Sequence, residues 1–144
     1  MTRLWNSSGD AVAVLLCLLV AGCGGGGQRA VPVRGRVTDA GKPLHVAGRD
    51  VGIGMVVVQF YPVGEDGKAP SLAAEAQVAA DGTFDAPGRD GRGLPPGKYL
   101  VAVRQWDPFP GVDKLGGRFD ETRSKIVRQI DGGEIVVDVS KPEG

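Results

Sequence analysis

Few residues in this chain are suited to chemistry: one histidine, His45, two cysteines, Cys17 and Cys23, and scattered carboxylates. A histidine supports nucleophilic catalysis when it activates a neighbouring serine or cysteine. His45 lies in a turn-rich segment with no serine or cysteine nucleophile motif beside it, so we interpret it as a solvated surface residue. The sequence therefore predicts that the protein is not an enzyme and has no catalytic residues.

Metal and cofactor sites are not predicted either. Zinc needs three or four clustered ligands, which one histidine and Cys23 cannot supply. Asp81, Asp85 and Asp90 offer oxygen atoms of the kind that calcium prefers. Their position around the Asp81-Gly82 pair favours a different interpretation, in which they stabilise turns. No glycine-rich phosphate loop precedes a helix, so we expect neither a metal nor a cofactor.

Cys17 and Cys23 belong to an unusual segment near the start of the chain. The apolar run from residue 11 to 22 has twelve residues, about 18 Å as a helix, whereas a hydrocarbon core is about 30 Å thick. This length is typical of the apolar part of a secretory signal. Arg3 supplies the positive start, which Asp10 weakens. A buried core helix is disfavoured because the run has no polar face and the glycines of 24–27 end it abruptly.

The residues Val20, Ala21, Gly22 and Cys23 resemble the lipobox of bacterial lipoproteins, in which an aliphatic residue and two small residues precede a cysteine. Valine stands at the first position, where leucine is commoner. The resemblance implies cleavage before Cys23, a diacylglyceryl thioether on its sulfur and an acylated amine. Two or three acyl chains on one residue are what stable membrane anchoring requires. The alternative is an ordinary secretory cut that leaves Cys23 as a free thiol.

These features divide the chain into three parts. Residues 1–22 are predicted to be a lipoprotein signal peptide, 23–30 a lipidated cysteine with a flexible glycine-rich tether, and 31–141 a folded domain. After cleavage one cysteine remains, so no internal disulfide can form. The expected location is the bacterial cell envelope, on its periplasmic or cell-surface face, with the membrane held through the lipid on Cys23. A further partner would be an envelope protein or glycan.

Composition agrees with one soluble domain and argues against a nucleic-acid partner. The chain has 144 residues, 42% of them hydrophobic and 24% charged, which is ordinary for a globular protein. Lysine plus arginine equals aspartate plus glutamate, at 17 each, so no net charge attracts the protein to nucleic acid. The 24 glycines and 10 prolines favour many turns over long helices.

The folded part reads as short strands with one apolar face each. Val33 and Val37 alternate with polar residues, and three later strands, in 54–62, 98–106 and 134–139, show the same period-two pattern. Asp81-Gly82 and Asp131-Gly132-Gly133 are expected to be hairpin turns. The predicted strands lie in 33–38, 54–62, 72–80, around 83–84, 98–106, 125–130 and 134–139. This spacing predicts an all-β fold, an antiparallel sandwich of about seven strands.

The order of four motifs, VRGRVTDAGKPL, VVVQFYP, AAEAQVAADGTF and GLPPGKYLVAV, resembles the carboxypeptidase-regulatory-like or transthyretin-like β-sandwich of small planctomycete lipoproteins. The family continues through a "Y.D..TS" stretch, which appears here as residues 118–124 with phenylalanine in place of tyrosine. Residues 45–54 are longer than the family's link between its first two strands. The resemblance covers about residues 31–139 and implies a fold and a location but no activity.

Three aromatic residues have predicted places near the rims of the sandwich. Tyr99 is expected to pack inward, with its hydroxyl on a backbone partner near the rim. Trp106 and Phe109 border a long loop, 107–117, where aromatics can stack on a sugar or grip a protein. Because large aromatics usually bury, the favoured expectation is that both fold back and cap the sandwich. The sequence thus leaves two functions open, a structural envelope lipoprotein and a module that binds carbohydrate or peptide.

Overall fold

The computed structural model describes residues 29–64, 71–141 and 143. Within these ranges the chain forms strands, turns and one short 3-10 helix, and no α-helix. The predicted all-β class is therefore confirmed. The strands are β1 (Val33–Asp39), β2 (Lys42–Pro43), β3 (Met55–Pro62), β4 (Ala74–Gln77), β5 (Thr83–Ala86), β6 (Gly97–Trp106), β7 (Val127–Ile130) and β8 (Glu134–Asp138).

The first sheet is built around β1. On one edge β8 runs parallel to it, from the Arg34–Glu134 pair to the Thr38–Asp138 pair. On the other edge β5 pairs antiparallel with its first half and the short β2 with its last two residues. The expectation of a wholly antiparallel sandwich is thus wrong at one pair. The reason is that β1 and β8 both enter the sheet from the same end of the molecule.

The second sheet is antiparallel throughout, in the order β4-β3-β6-β7. Its centre is the long pairing of β3 with β6, from Met55 opposite Trp106 to Pro62 opposite Tyr99. β6 has ten residues and therefore spans about 30 Å, since a strand rises about 3.3 Å per residue. Its length sets the distance between the two ends of the molecule.

The core lies between the two sheets and is formed by alternate residues of their strands. Val56, Val58 and Phe60 of β3 are completely buried, as are Val101 and Val103 of β6. From the first sheet come completely buried Val37 and Val137, together with Phe84, whose ring lies 5.9 Å from that of Phe60. The inward faces predicted for these strands are confirmed. All core residues fall between Val33 and Val139, so this stretch contains the described hydrophobic core.

One glycine allows the first sheet to pack this closely. A Cβ atom at Gly35 would lie 2.2 Å from the carbonyl oxygen of Ile135 and 2.8 Å from the ring of Phe84. Real Cβ atoms do not approach a backbone oxygen to this distance, so the position accommodates only glycine. Close packing between β1, β8 and Phe84 thus explains why a glycine stands at position 35.

Both Asp-Gly turns differ from the prediction in the same way. Strands do flank Asp81-Gly82, but β4 belongs to the second sheet and β5 to the first. Similarly, the turn at 131–133 joins β7 of the second sheet to β8 of the first. The expectation of hairpins is therefore wrong at both. Gly82 and Gly132 do adopt positive φ, at 83° and 99°, but turn chemistry fixes a reversal without choosing the strand's partner.

The segment between β2 and β3 forms its own small structure. A 3-10 helix, Arg49–Val51, lies between two glycines with left-handed backbone conformation. Val46 is buried beneath it, and the guanidinium of Arg49 donates to the carbonyl oxygen of Val78. Val46 and Arg49 thus attach this segment to the sandwich, while the 3-10 helix itself has no buried residue.

Candidate functional site

The two ends of the sandwich differ in which strand ends they contain, and one of them contains the start of the first strand, β1. Val31 forms a two-residue bridge with Leu94, N–H to O at 2.8 and 3.0 Å, next to the first residues of β1 and β6. We call this the entry end, and the opposite one the far end. The far end carries the loops 40–54, 78–82 and 107–117. The candidate binding residues named from the sequence lie there.

The long loop after β6 is held by the carboxylate of Asp113. One of its oxygens accepts the backbone N–H groups of Gln105 and Leu115, and the other accepts that of Gly117, each at 3.0 Å. The N–H of Lys114 donates to the carbonyl of Gln105 at 2.7 Å. The loop base is therefore a closed hairpin. Sequence analysis did not single out Asp113, although aspartate is a common turn residue and two glycines, Gly116 and Gly117, lie shortly after it.

The structure brings Trp106 and Phe109 together in this loop. Their ring centroids lie 6.1 Å apart in an edge-to-face arrangement, a favourable geometry for aromatic pairs. The guanidinium of Arg104 lies 5.7 Å from the centre of the Trp106 ring. Phe109 is 46% exposed, and neither ring belongs to the core. The expectation that both cap the sandwich is wrong, because the alternation of β6 directs Trp106 to the outer face of its sheet.

Beside Trp106, the outer face of the second sheet carries a polar cluster. Arg104 forms an ion pair with Glu121, and Gln59 donates to Glu75 at 2.7 Å. Burial, together with the nearby carboxylates of Glu121 and Glu75, raises the pKa of Tyr61. Its phenol therefore stays protonated at neutral pH and donates to the side-chain oxygen of Gln59 at 3.2 Å. The cluster's polar groups satisfy one another.

The segment 118–126 runs along the free part of β6 and is fixed by Asp120. Its carboxylate accepts hydrogen bonds from the backbone and hydroxyl of Thr122 and from the backbone and guanidinium of Arg123. Hydrogen bonds from Arg123 and then Thr122 hold the pKa of Asp120 well below its usual range. Ser124 donates to the carbonyl of Val101 at 2.6 Å, and the ring of Phe119 is buried. Asp120, Thr122 and Ser124 thus have structural roles here.

A groove of about 580 Å³ lies at the far end, on the other side of Gln105 from the aromatic pair. Leu44 and Val139 are buried beneath it and Leu115 is half-buried. The charged and polar residues that line it are Asp39, Lys42, His45, Gln105, Lys114, Arg118 and Ser140. His45, predicted to be a surface residue, is exposed. Its carbonyl accepts a hydrogen bond from the side-chain amide of Gln105.

The entry end also carries a groove, of about 1430 Å³, and its backbone is held differently. The hydroxyl of Tyr99 donates to the carbonyl of Pro95 at 2.9 Å while its ring is buried, which confirms the predicted placement. Burial raises the pKa of Tyr99. Leu94 is also buried. A Cβ at Gly93, whose φ is +98°, would lie 1.8 Å from the carbonyl oxygen of Val31, so the two backbone segments are in direct contact.

The aspartates considered as calcium ligands occupy separate places. Asp81 accepts hydrogen bonds from the backbone and hydroxyl of Thr83, which lower its pKa. Asp85 pairs with Arg34, and Asp90 lies 3.6 Å from Arg92. In the described ranges no three histidine, cysteine, aspartate or glutamate side chains are grouped so as to hold a metal ion.

The proposed lipid-attachment residues, Val20, Ala21, Gly22 and Cys23, lie outside the described residues. Among the residues that the structure does describe, no helix is sufficiently long and apolar to span a membrane. Comparisons with known protein families, with curated proteins and with solved structures found no match. The resemblance to planctomycete lipoproteins with a transthyretin-like sandwich therefore stays a prediction.

Proposed function

We propose that this protein is a non-catalytic lipoprotein of the bacterial cell envelope, anchored through Cys23. The proposal rests on the sequence VAGC at 20–23, which ends an apolar run of signal-peptide length. The geometry that supports it is the entry of the chain at Val31, because the far-end loops lie about 30 Å away along β6. A lipid at Cys23 would therefore hold the entry end nearer the bilayer and leave the far end free.

The test is mass spectrometry of the protein from membrane fractions. Wild-type protein should begin at Cys23 and carry the mass of a diacylglyceryl group and an acylated amine. The variant Cys23→Ala should lack this mass and leave the membrane fraction. Cys17→Ala is the matched control, because it removes a thiol from the same segment and should be lipidated normally. Wild-type protein that is membrane-bound without lipid at position 23 would contradict the proposal.

A second candidate function is ligand binding through the far-end loops. The observation that favours it is the exposed ring of Phe109 beside Trp106, since exposed aromatics are common anchors of interfaces. Titration with cell-wall glycan fragments or with peptides would test it, with calorimetry as the readout so that binding can also be measured in a variant without Trp106. Binding that is unchanged by Trp106→Ala and by Phe109→Ser would remove this loop from consideration.

A further inference from the structure

The far-end groove carries a surplus of positive charge that has no ion-pair partner among the described residues. Lys42, Lys114 and Arg118 face it, whereas Asp39 is the single carboxylate among its lining residues. None of these three cations takes part in an ion pair with the described residues. The neighbouring Asp113 is occupied with three backbone amides. The groove is therefore electropositive in a protein whose net charge is zero.

The fold sets the backbone positions of the three cationic residues. The guanidinium of Arg118 donates to the carbonyl of Val139 at 3.1 Å and lies 5.0 Å from the centre of the Phe119 ring. Lys42 is fixed on β2, which pairs with the end of β1. Lys114 follows directly after Asp113 at the base of the hairpin. An anionic ligand would therefore meet one guanidinium held in place before binding and two lysines whose backbone positions are fixed.

The two loops that contribute Leu44, His45, Lys114 and Leu115 to the groove also carry exposed apolar side chains. Ile53 is 48% exposed, Phe109 46% and Val112 54%. The N–H of Phe109 donates to the carbonyl of Ile53 at 2.7 Å, and the N–H of Asp107 to that of Val112 at 2.9 Å, so the three belong to one ordered surface. Gln105, next to Trp106 in β6, bonds to His45 and Lys114 of the groove lining, so the groove and the apolar residues lie on either side of the end of β6. Contiguous exposed apolar surface marks a site of interaction.

We infer that the far end is a docking surface for an extended acidic segment of another protein. Its carboxylates would occupy the groove near Lys42, Lys114 and Arg118, and an adjacent apolar side chain would pack on Phe109 and Ile53. Because the groove is electropositive, charge complementarity requires a negatively charged partner segment. Aliphatic contacts favour a peptide over a glycan, and three cations are too few for the phosphate contacts of nucleic acid. The inference deepens the second candidate function and rests on it, but needs no lipid on Cys23.

Selection from a random dodecapeptide phage library tests this directly. The bait is residues 23–144, which contain the whole described core and one cysteine. Biotin on the Cys23 thiol immobilises the protein so that the far end faces the library. We expect enriched peptides with at least two aspartates or glutamates within four positions of a leucine, isoleucine, phenylalanine or tryptophan. The absence of enrichment over blocked beads would overturn the inference.

The charge of the groove is tested by a double variant, Lys42→Glu with Lys114→Glu. The acidic preference should disappear, and a peptide selected on wild-type protein should bind about tenfold more weakly or worse, because two attractive charge pairs become repulsive. The matched control is Lys98→Glu with Lys125→Glu, two exposed lysines outside the groove, which should select the same acidic peptides as wild type. All substituted lysines are exposed, so circular dichroism should show unchanged folds.

The apolar part is tested separately by Phe109→Ser, which should weaken the selected peptide several-fold and leave its acidic preference intact. The inference would be overturned if acidic peptides bound the Lys42→Glu, Lys114→Glu double variant as tightly as they bind wild-type protein. That result would leave loop binding itself standing if Phe109→Ser still weakens the complex. A failure of the inference is thus distinguished from a failure of the second candidate function.

Discussion

The two ends of this sandwich are ordered by different means. At the entry end, backbone segments touch, as Gly93 and Val31 do, and Leu94 and Tyr99 are buried between them. At the far end the loop base is equally well fixed, by Asp113, but the residues beyond it, including Phe109 and Val112, stay exposed. Phe109 and Val112 are therefore exposed although the base of their loop is held by hydrogen bonds. We interpret the entry end as structural and the far end as the surface that contacts partners.

The largest expected difference between the ends comes from a matched pair of glycine substitutions. Gly93→Ala places a Cβ against the Val31 carbonyl in a left-handed conformation, and should cost about 3 kcal/mol or more of unfolding free energy, because strain adds to the lost Val31–Leu94 bonds. Gly116→Ala is also left-handed, at φ +63°, but meets no atom within 4 Å, and should cost about 1 kcal/mol. Urea unfolding measures both. Equal losses would contradict the contrast.

Asp113 is the next test, because it supports the far-end loop without belonging to the core. Asp113→Ala leaves three backbone N–H groups without their acceptor and should cost about 2 kcal/mol. Asp113→Asn retains one oxygen acceptor and should cost less. Urea unfolding of both variants gives the order. Wild-type stability in Asp113→Ala would show that the carboxylate does not hold the hairpin.

At the entry end, Tyr99→Phe removes a hydrogen bond and leaves the ring in place. The Pro95 carbonyl loses its donor, and we expect a loss of about 1 kcal/mol in unfolding free energy. Tyr61→Phe is the control, since its hydroxyl bonds to a side chain, Gln59, that has another partner. A larger loss for Tyr61→Phe than for Tyr99→Phe would contradict the structural role of Tyr99.

Acid stability should report on Asp120. Its pKa in the folded protein is depressed below the ordinary value of 3.8 by Arg123 and Thr122, so its contribution is complete above that value and declines as pH falls below it. The unfolding free energy of wild-type protein should therefore decrease between about pH 4 and pH 2. Asp120→Asn should be less stable at pH 7 and show a shallower decrease. An identical slope in both proteins would show that other carboxylates dominate.

The smallest effect is expected at the exposed aromatic. Phe109→Ser should change the unfolding free energy by at most about 0.5 kcal/mol, as surface substitutions do, because nearly half of the side chain is already in solvent. A loss of several kcal/mol would show that Phe109 supports the fold. In that case Phe109 would be retained for stability, and its exposed ring would not indicate a binding partner.

The sequence predicted what depends on local pattern. Period-two alternation located the strands and their inward faces, for example Val56, Val58 and Phe60, because one buried face requires it. The position of Tyr99 followed from the turn before it. The pairing of β8 with β1 was missed, as was the crossing of both Asp-Gly turns between sheets. Each of these depends on which distant strand offers a free edge, and turn residues do not encode that choice.

The candidate site was predicted only in part, for a related reason. Trp106 and Phe109 were found because aromatics in a glycine-containing loop stand out in a sequence. The groove was not, because Lys42, Lys114 and Arg118 are far apart in the chain and individually ordinary. Only the meeting of β2 with the loop after β6 places them together. A signal at Asp113 was present in the glycines after it, but its three backbone partners were not predictable.

The central claim is that the entry end faces the membrane and the far end faces away. It is tested by energy transfer from a fluorescent donor to acceptor lipids, in lipidated protein reconstituted into vesicles. With Cys23 blocked by its lipid, Asp90→Cys at the entry end and Val112→Cys at the far end each provide one labelling site. We predict clearly stronger transfer from position 90 than from 112, since the ends are about 30 Å apart along β6. Equal transfer from both positions, or stronger transfer from 112, would contradict the claim.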